Sequence, residues 1–246
     1  KADAKIAEKL GISADALLTS ISESSATLLA LREKRIKPGL DDKILTAWNG
    51  LMLKGYVDAY RAFGEKRFLE AALANADFLM KNAYSKTDGL TRNHKDGKSS
   101  IPAFLDDYAF TIAAFIDLYQ ATFDEKWLHT ANQLTVYTQA HYSNPENGMF
   151  FYTHNDHSNL IARKMETGDN VIPASNSVIA RDLYILGLYL YKEAYIENAK
   201  QMMGNMLSAI DAIASPSFYS NWLQLYLDMT KPPYEVAVVG KNYAKL

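Results

Sequence analysis

The chain has 246 residues, 48% hydrophobic and 22% charged, with a formal net charge of −2 and a sequence pI near 6.2. That length and composition suit a globular protein with a substantial core, and the charge balance offers no basic field for nucleic acid or anionic membrane. No run approaches the roughly 20 apolar residues of a membrane span. The absence of cysteine excludes disulfides, thiolate catalysis and cysteine-ligated zinc, and suits a reducing, cytoplasmic compartment.

The chain opens at Lys1 without an initiator methionine or the apolar run of a signal peptide, so it reads as a piece of a longer protein. Residues 13–35 predict a helix with Leu17, Ile21, Leu28 and Leu31 on one side, broken at Lys37-Pro38-Gly39. Apolar spacing predicts a first long helix over 42–63, carrying Ile44, Trp48, Leu51, Gly55, Ala59 and Ala62, and a second from Leu69 to Ala83. Tyr108, Ile112, Phe115, Ile116 and Tyr119 mark a third, and Leu128, Ala131, Leu134 and Thr138 a fourth. Val178 to Leu190 and Ile196 to Ile210 give a third pair. A further helix over 216–229 carries Phe218, Trp222, Leu225 and Tyr226, and Val236-Ala237-Val238-Val239-Gly240 reads as a strand.

These helices repeat. Phe63-Gly64-Glu65-Lys66-Arg67-Phe68 is matched by Phe123-Asp124-Glu125-Lys126-Trp127-Leu128 and by Tyr191-Lys192-Glu193-Ala194-Tyr195-Ile196, at intervals of 60 and 68 residues. Each match falls at a tight turn inside a helical pair, whereas long connections over 84–103 and 142–174 join successive pairs. Up-and-down pairs place those connections at one end of the stack, which fits an open α-solenoid or a closed toroid. The second connection predicts a short β-hairpin, Met149 to Thr153 with Leu160 to Lys164, joined through His154-Asn155-Asp156. Such hairpins would cap one mouth, either around a ligand or as shields for helix ends. No glycine-rich linker interrupts the chain, and 1–246 reads as one domain.

Chemistry concentrates at that mouth. Asp41-Asp42 and Asp106-Asp107 each precede the first helix of a pair. Aspartate is a preferred N-cap, but one per helix is enough. Paired carboxylates in unlike environments are also the equipment of glycoside hydrolysis. Trp48 fits both the apolar stripe and a sugar platform, Asn49 is a poor helix former, Tyr108 follows the second pair, and Ala174-Ser175-Asn176-Ser177 holds the third equivalent place. Arg163, Lys164, Glu166 and Asp169 read equally as mouth residues or as a solvated charge cluster. The five histidines give no metal spacing: His129 and His141 lie twelve apart, and His94, His154 and His157 read as solvated loop residues. No metal, nucleotide or haem site is indicated.

Asp41-Asp42-Lys43-Ile44-Leu45-Thr46-Ala47-Trp48-Asn49-Gly50-Leu51-Met52 resembles a hallmark segment of the thioredoxin-domain-containing family that includes spermatogenesis-associated protein 20 and bacterial relatives. Leu105 to Phe110, Pro173 to Val178 and Glu235 to Gly240 resemble further segments in the same order, with Ala174 where relatives commonly carry glycine. The resemblance implies an all-α (α/α)6 toroid, similar to N-acylglucosamine 2-epimerases and six-hairpin glycosidases. This chain would be the later part of it, partnered by a thioredoxin-like domain of the same full-length protein. None of the histidines falls in the four segments, which sets the chain apart from epimerases that use histidine as acid and base.

Two functional readings follow. In the first, the toroid acts on a sugar as a hydrolase or an isomerase. Asp42 and Asp107 do the proton work, Asp41 and Asp106 cap or orient at the substrate, Trp48 and Tyr108 form a platform, and Asn49 and Asn176 bind hydroxyls. In the second, the chain is a non-catalytic binding or scaffold module serving the thioredoxin-like domain.

Overall fold

A computed structural model describes residues 2–156, 161–212, 216–231, 233–234 and 239. It divides into two compact units, Lys1–Asp42 and Lys43–Leu246. The first unit holds α1 (Ala2–Leu10) and α2 (Ala14–Glu33). Gly11, at φ 69°, ends α1, and Ser13 Oγ accepts the Ala16 N–H to start α2. Of the apolar side predicted for this helix, Leu17 is buried and Ile21, Leu28 and Leu31 are exposed.

The second unit carries the repeats. Ile44–Leu45 (β1) leads into α3 (Thr46–Phe63), followed by α4 (Lys66–Asn82), β2 (Tyr84–Ser85), β3 (Gly89–Lys95) and β4 (Lys98–Pro102). Then come α5 (Leu105–Thr122), α6 (Glu125–Tyr142), α7 (Ser175–Leu190), α8 (Glu193–Asp211), a 3-10 turn (Pro216–Tyr219) and α9 (Ser220–Thr230). The first long helix therefore starts four residues later than its apolar spacing predicts. Ile44 and Leu45 are extended and pair antiparallel with His94 and Asn93, which takes them out of the helix.

The repeated turns are left-handed caps. Gly64 (φ 70°), Phe123 (φ 55°) and Tyr191 (φ 53°) end α3, α5 and α7, each giving its N–H to a carbonyl four residues back. α4, α6 and α8 then fold back against their partners, while α3, α5, α7 and α9 pack side by side in that order. α5 sits between α3, α6 and α7, so its sequence is apolar nearly all round, with Ile112, Ala114, Phe115 and Leu118 completely buried. Each large side chain buried there contributes about 1.5–3 kcal/mol. α3 and α5 approach closely enough that a Cβ on Gly50 would lie 2.8 Å from the Phe110 carbonyl carbon.

The connections differ from expectation. The first, between α4 and α5, forms a hairpin: β3 pairs antiparallel with β4 (Asn93 opposite Ser100) and also with β1 and β2. Asp96 and Gly97 turn it with φ of 51° and 72°. The hairpin predicted over 149–164 does not form among the described residues; Leu160 lies outside them. Met149 and Phe150 both enter the core, whereas successive residues of a strand point to opposite faces. Their main chain binds the end of α6 instead, with Phe151 N–H on the Tyr142 carbonyl (2.8 Å) and Asn144 N–H on that of Met149 (2.7 Å). Tyr152 continues the strap, giving its N–H to the Lys164 carbonyl and taking the Leu105 N–H. Residues 235–238 and 240, and with them most of the C-terminal strand and the fourth family-like segment, lie outside the described residues. No helix among the described residues is long and apolar enough to cross a membrane.

Candidate functional site at the helix N-termini

The four side-by-side helices begin at one end, against the long connections, and buried carboxylates organise those beginnings. Asp107, in the first turn of α5, is fully buried. Its Oδ2 accepts the Phe104 N–H (2.9 Å) and its Oδ1 accepts the Ala47 N–H (2.8 Å), so one side chain caps both α5 and α3. Local aspartates were the expected caps of the first long helix, but no side chain at its own N-cap position, Leu45, bonds to it.

Arg92, from β3, lies over the pair. Its Nη1 is 3.1 Å from Asp106 Oδ1 and 3.1 Å from Asp107 Oδ2, and its guanidinium stacks on Phe104 at 4.7 Å. Burial, then the Asp106 charge, push the Asp107 carboxyl up to about 7, against the Phe104 N–H, Arg92 and the Ala47 N–H, which pull it down. Asp106 Oδ1 accepts the Asp107 N–H (3.0 Å), and its side chain is hydrogen-bonded to that of Tyr152. Burial and the Asp106 charge raise the Tyr152 hydroxyl, so it stays protonated and serves as a donor. Tyr152 also packs on Phe104 with ring centroids 5.1 Å apart.

The same device recurs at α7 and α9. Asp169 Oδ1 accepts the Ala174 N–H (2.9 Å) and the Ser177 hydroxyl, while Oδ2 accepts the Asn221 N–H (2.9 Å) and the Ser220 hydroxyl. Asp169 is buried, not part of a solvated cluster. Glu166 Oε2 takes the Ser175 N–H. Asn176, fully buried, accepts the Phe150 N–H and donates to the carbonyls of Phe150 and Glu166, each at 2.9 Å. It clamps the 149–152 strap.

The remaining expected residues have other surroundings. Trp48 is 64% exposed, so it is not a core residue of this unit. Asn49 donates to the Leu45 carbonyl one turn back (2.9 Å). Tyr108 is buried and stacked on Tyr137, and its hydroxyl accepts the Leu90 N–H at 2.8 Å. Asp41 and Asp42 belong to the first unit, where both are exposed.

Arg92, Tyr152 and Phe104 were not singled out from sequence. Arg92 is the one arginine in the 84–103 connection, and a buried carboxylate pair calls for a cation, so that signal was present. The structure also corrects His154, which is 8% exposed and not solvated. Its Nδ1 lies 3.1 Å from the Asp156 nitrogen and its Nε2 3.3 Å from Tyr137 Oη, and its ring stacks on His141 at 4.4 Å. The pair borders a cavity of about 270 Å³ with Tyr108, Tyr137 and Tyr142. His94 lies on β3, edge-on to Phe78, and His157 lies outside the described residues. Among the described residues no cluster of three or more histidine, aspartate or glutamate side chains is arranged to hold a metal ion.

These hairpins and the small sheet define an (α/α) toroid of the six-hairpin type, the fold of known glycoside hydrolases and sugar epimerases. A heparin-specific unsaturated glucuronyl hydrolase matches with a TM-score of 0.62 at 15% identity, covering 79% of this chain and 62% of that one. A GH76 α-mannanase of Bacteroides thetaiotaomicron matches with 0.60 at 16% identity (78% and 54%). The cellobiose 2-epimerase of Spirochaeta thermophila matches with 0.55 at 14% identity (70% and 45%). By sequence, the chain is homologous to spermatogenesis-associated protein 20 of Homo sapiens, 31% identical over 187 residues that cover 72% of this chain. An uncharacterized protein of Caenorhabditis elegans is 32% identical over 206 residues, 81% of this chain. The matched regions span 24% and 28% of those relatives, so the chain corresponds to about a quarter of their length. No family model matches the chain.

Proposed function

We propose that this chain forms part of a carbohydrate-active toroid enzyme, with Asp106 as the acid–base carboxylate at the mouth. The observation that carries the reading is the Asp106–Arg92–Asp107 cluster. Two adjacent carboxylates share one guanidinium, yet both oxygens of Asp107 are held by main-chain N–H groups, while Asp106 meets the Tyr152 hydroxyl. Proton work thus moves from Asp107 to Asp106, and Asp107 becomes the residue that positions it. Phe104 and Tyr152 offer aromatic faces, Trp48 an exposed one on α3, and Asn49 a half-buried amide. Asn176 holds the strap that carries Tyr152. Asp42 and Asp41 are carboxylates of the first unit, and variants there are a separate test of the paired-aspartate idea.

Hydrolysis, isomerisation and epimerisation all need such a group, and acid–base catalysis by one side chain is worth about 10²–10⁴ in rate. The test is an NMR screen for turnover of α-mannobiose, cellobiose and an unsaturated glucuronyl disaccharide. One of them should be converted, and Asp106→Asn should slow it at least about a hundredfold with the melting temperature preserved. An Asp106→Asn chain that turns over sugar as fast as wild type sinks the assignment. The complete use of Asp107 and Asn176 in main-chain bonds favours a second reading: a non-catalytic module that serves a thioredoxin-like domain, for which no sugar is converted.

A further inference from the structure

The 270 Å³ cavity beside His141 and His154 is distinct from the Asp106–Arg92–Asp107 cluster, none of whose residues borders it. It lies between the β2–β3 turn, the last turns of α6 and residues 154–156, with buried Leu90 and Ala103 among its walls. Five rings border it: Tyr108, Tyr137, Tyr142, His141 and His154. They pack on one another. Tyr137 meets Tyr108 at 5.5 Å and His141 at 4.4 Å between centroids, and Tyr142 is edge-on to His154 at 5.4 Å.

The tyrosine hydroxyls are already engaged with main chain. Tyr108 Oη accepts the Leu90 N–H (2.8 Å), Tyr142 donates to the Ala103 carbonyl (2.6 Å), and Tyr137 donates to that of Asp88 (3.0 Å). At the rim stand two exposed carboxylates, Asp88 and Asp156. Asp88 Oδ2 accepts the hydroxyls of Ser85 (2.9 Å) and Thr87 (2.8 Å), and Asp156 Oδ2 is 3.6 Å from His154 Nδ1. Their charges reach the same wall. Burial raises the Tyr137 hydroxyl most, its bond to Tyr108 opposes this, and Asp88 and Asp156 both raise it further. Among the described residues no lysine or arginine borders the cavity. Arg163, from the neighbouring chain, is held by the carbonyls of Thr153 and His141 and stacks on Phe151 at 4.1 Å. A sugar would find few polar groups left to bind its hydroxyls, and an anion would meet two carboxylates. A weakly hydrated organic cation suits both the aromatic walls and the acidic rim.

We propose that this cavity binds a quaternary ammonium head group, with its methyl groups against the tyrosine and histidine rings and its charge balanced by Asp88 and Asp156. The volume is that of about nine waters, enough for a trimethylammonium group and the start of the arm that carries it. Both carboxylates are exposed, so the ligand needs no opening of the fold to reach them. The site stands whether or not the chain converts a sugar at the Asp106 cluster.

The experiment titrates choline into the whole chain by saturation-transfer NMR, with dimethylbutanol, in which carbon replaces the charged nitrogen, as the neutral control. Choline should bind with a Kd of about 1 mM or below, and the alcohol at least about tenfold more weakly. The double variant Asp88→Asn/Asp156→Asn should bind choline at least about threefold more weakly and leave the alcohol unchanged. Tyr137→Leu removes one wall and should weaken choline about tenfold. Circular dichroism melting checks that each variant is folded; if Tyr137→Leu is not, the exposed rim pair still decides. Equal affinity for choline and the alcohol overturns the cation assignment. Unchanged choline affinity in the double variant overturns the site, and so does a wild-type chain that shows no choline binding at about 10 mM.

Discussion

Asp107 shows how much structure one side chain can hold. Both of its oxygens serve as acceptors for main-chain N–H groups 57 residues apart in sequence, at Ala47 and Phe104. Asp107→Asn keeps one acceptor and turns an amide N–H toward the other donor, so it should cost about 2–3 kcal/mol in chemical denaturation. The pH dependence has a definite sign. Because the folded carboxyl is raised from 3.8 to about 7, the native state binds more protons than the unfolded chain between those values. Its contribution is therefore fully present below about pH 4 and lost as pH rises through about 7. Wild type should lose stability relative to Asp107→Asn over that window; a difference independent of pH would show that the carboxyl stays ionised throughout.

At this scale the sequence was informative about residue type and blind to direction. The adjacent aspartates stand at the start of the third long helix, where either a cap or proton work was expected, and which helices Asp107 binds depends on a neighbour brought in by the fold. Tyr108 follows Asp107 directly, yet consecutive helical residues point about 100° apart, and its buried ring stacks on Tyr137 beside the 270 Å³ cavity.

Among the elements, the closest approach is the most brittle. At Gly50 an added Cβ would meet the Phe110 carbonyl carbon at 2.8 Å, its oxygen at 2.9 Å and the Thr111 nitrogen at 3.0 Å, all main-chain atoms that cannot rotate away. Gly50→Ala should destabilise by about 2–3 kcal/mol despite alanine's better helix propensity, whereas Gly55→Ala, with nothing within 4 Å, should be neutral or stabilising. Thermal melts of the two variants check this, and equal melting temperatures would refute it. The hairpins themselves were legible because their apolar stripes keep helical spacing and their turns repeat a short motif. Short β-hairpins in the long connections were expected, but the strands of the β3–β4 hairpin were not placed because they are polar and lack alternation, although Lys95-Asp96-Gly97-Lys98 carried the Asp-Gly turn signal. The aromatic run Met149 to Tyr152 misled in the opposite sense: its hydrophobicity serves as a plug against α6, and its backbone bonds run to three different segments.

At the scale of the molecule, the second unit has a continuous core of its own, from Leu53 on α3 to Leu225 on α9. A fragment of residues 43–246 is therefore expected to unfold in one cooperative transition, monitored by circular dichroism; a gradual, non-cooperative melt would contradict a self-contained core. The toroid class was visible in the ordered segments and in the one-sided long connections. The buried Asp182 of α7, whose Oδ2 has no hydrogen-bond partner, was not, since no motif marks it.

The shared carboxylates bear on how such a unit opens. Hairpins pair α3 with α4, α5 with α6 and α7 with α8, but Asp107 joins α3 to α5 and Asp169 joins α7 to α9. The covalent turns and the capping bonds are thus staggered, like stitches across the α3–α5 and α7–α9 seams. Fraying at the start of α3 strips a partner from α5, in a different hairpin, and the same holds for α7 and α9. Local opening that would otherwise stay within one hairpin is passed across the boundary, so exchange protection at Ala47 and Phe104 should rise and fall together.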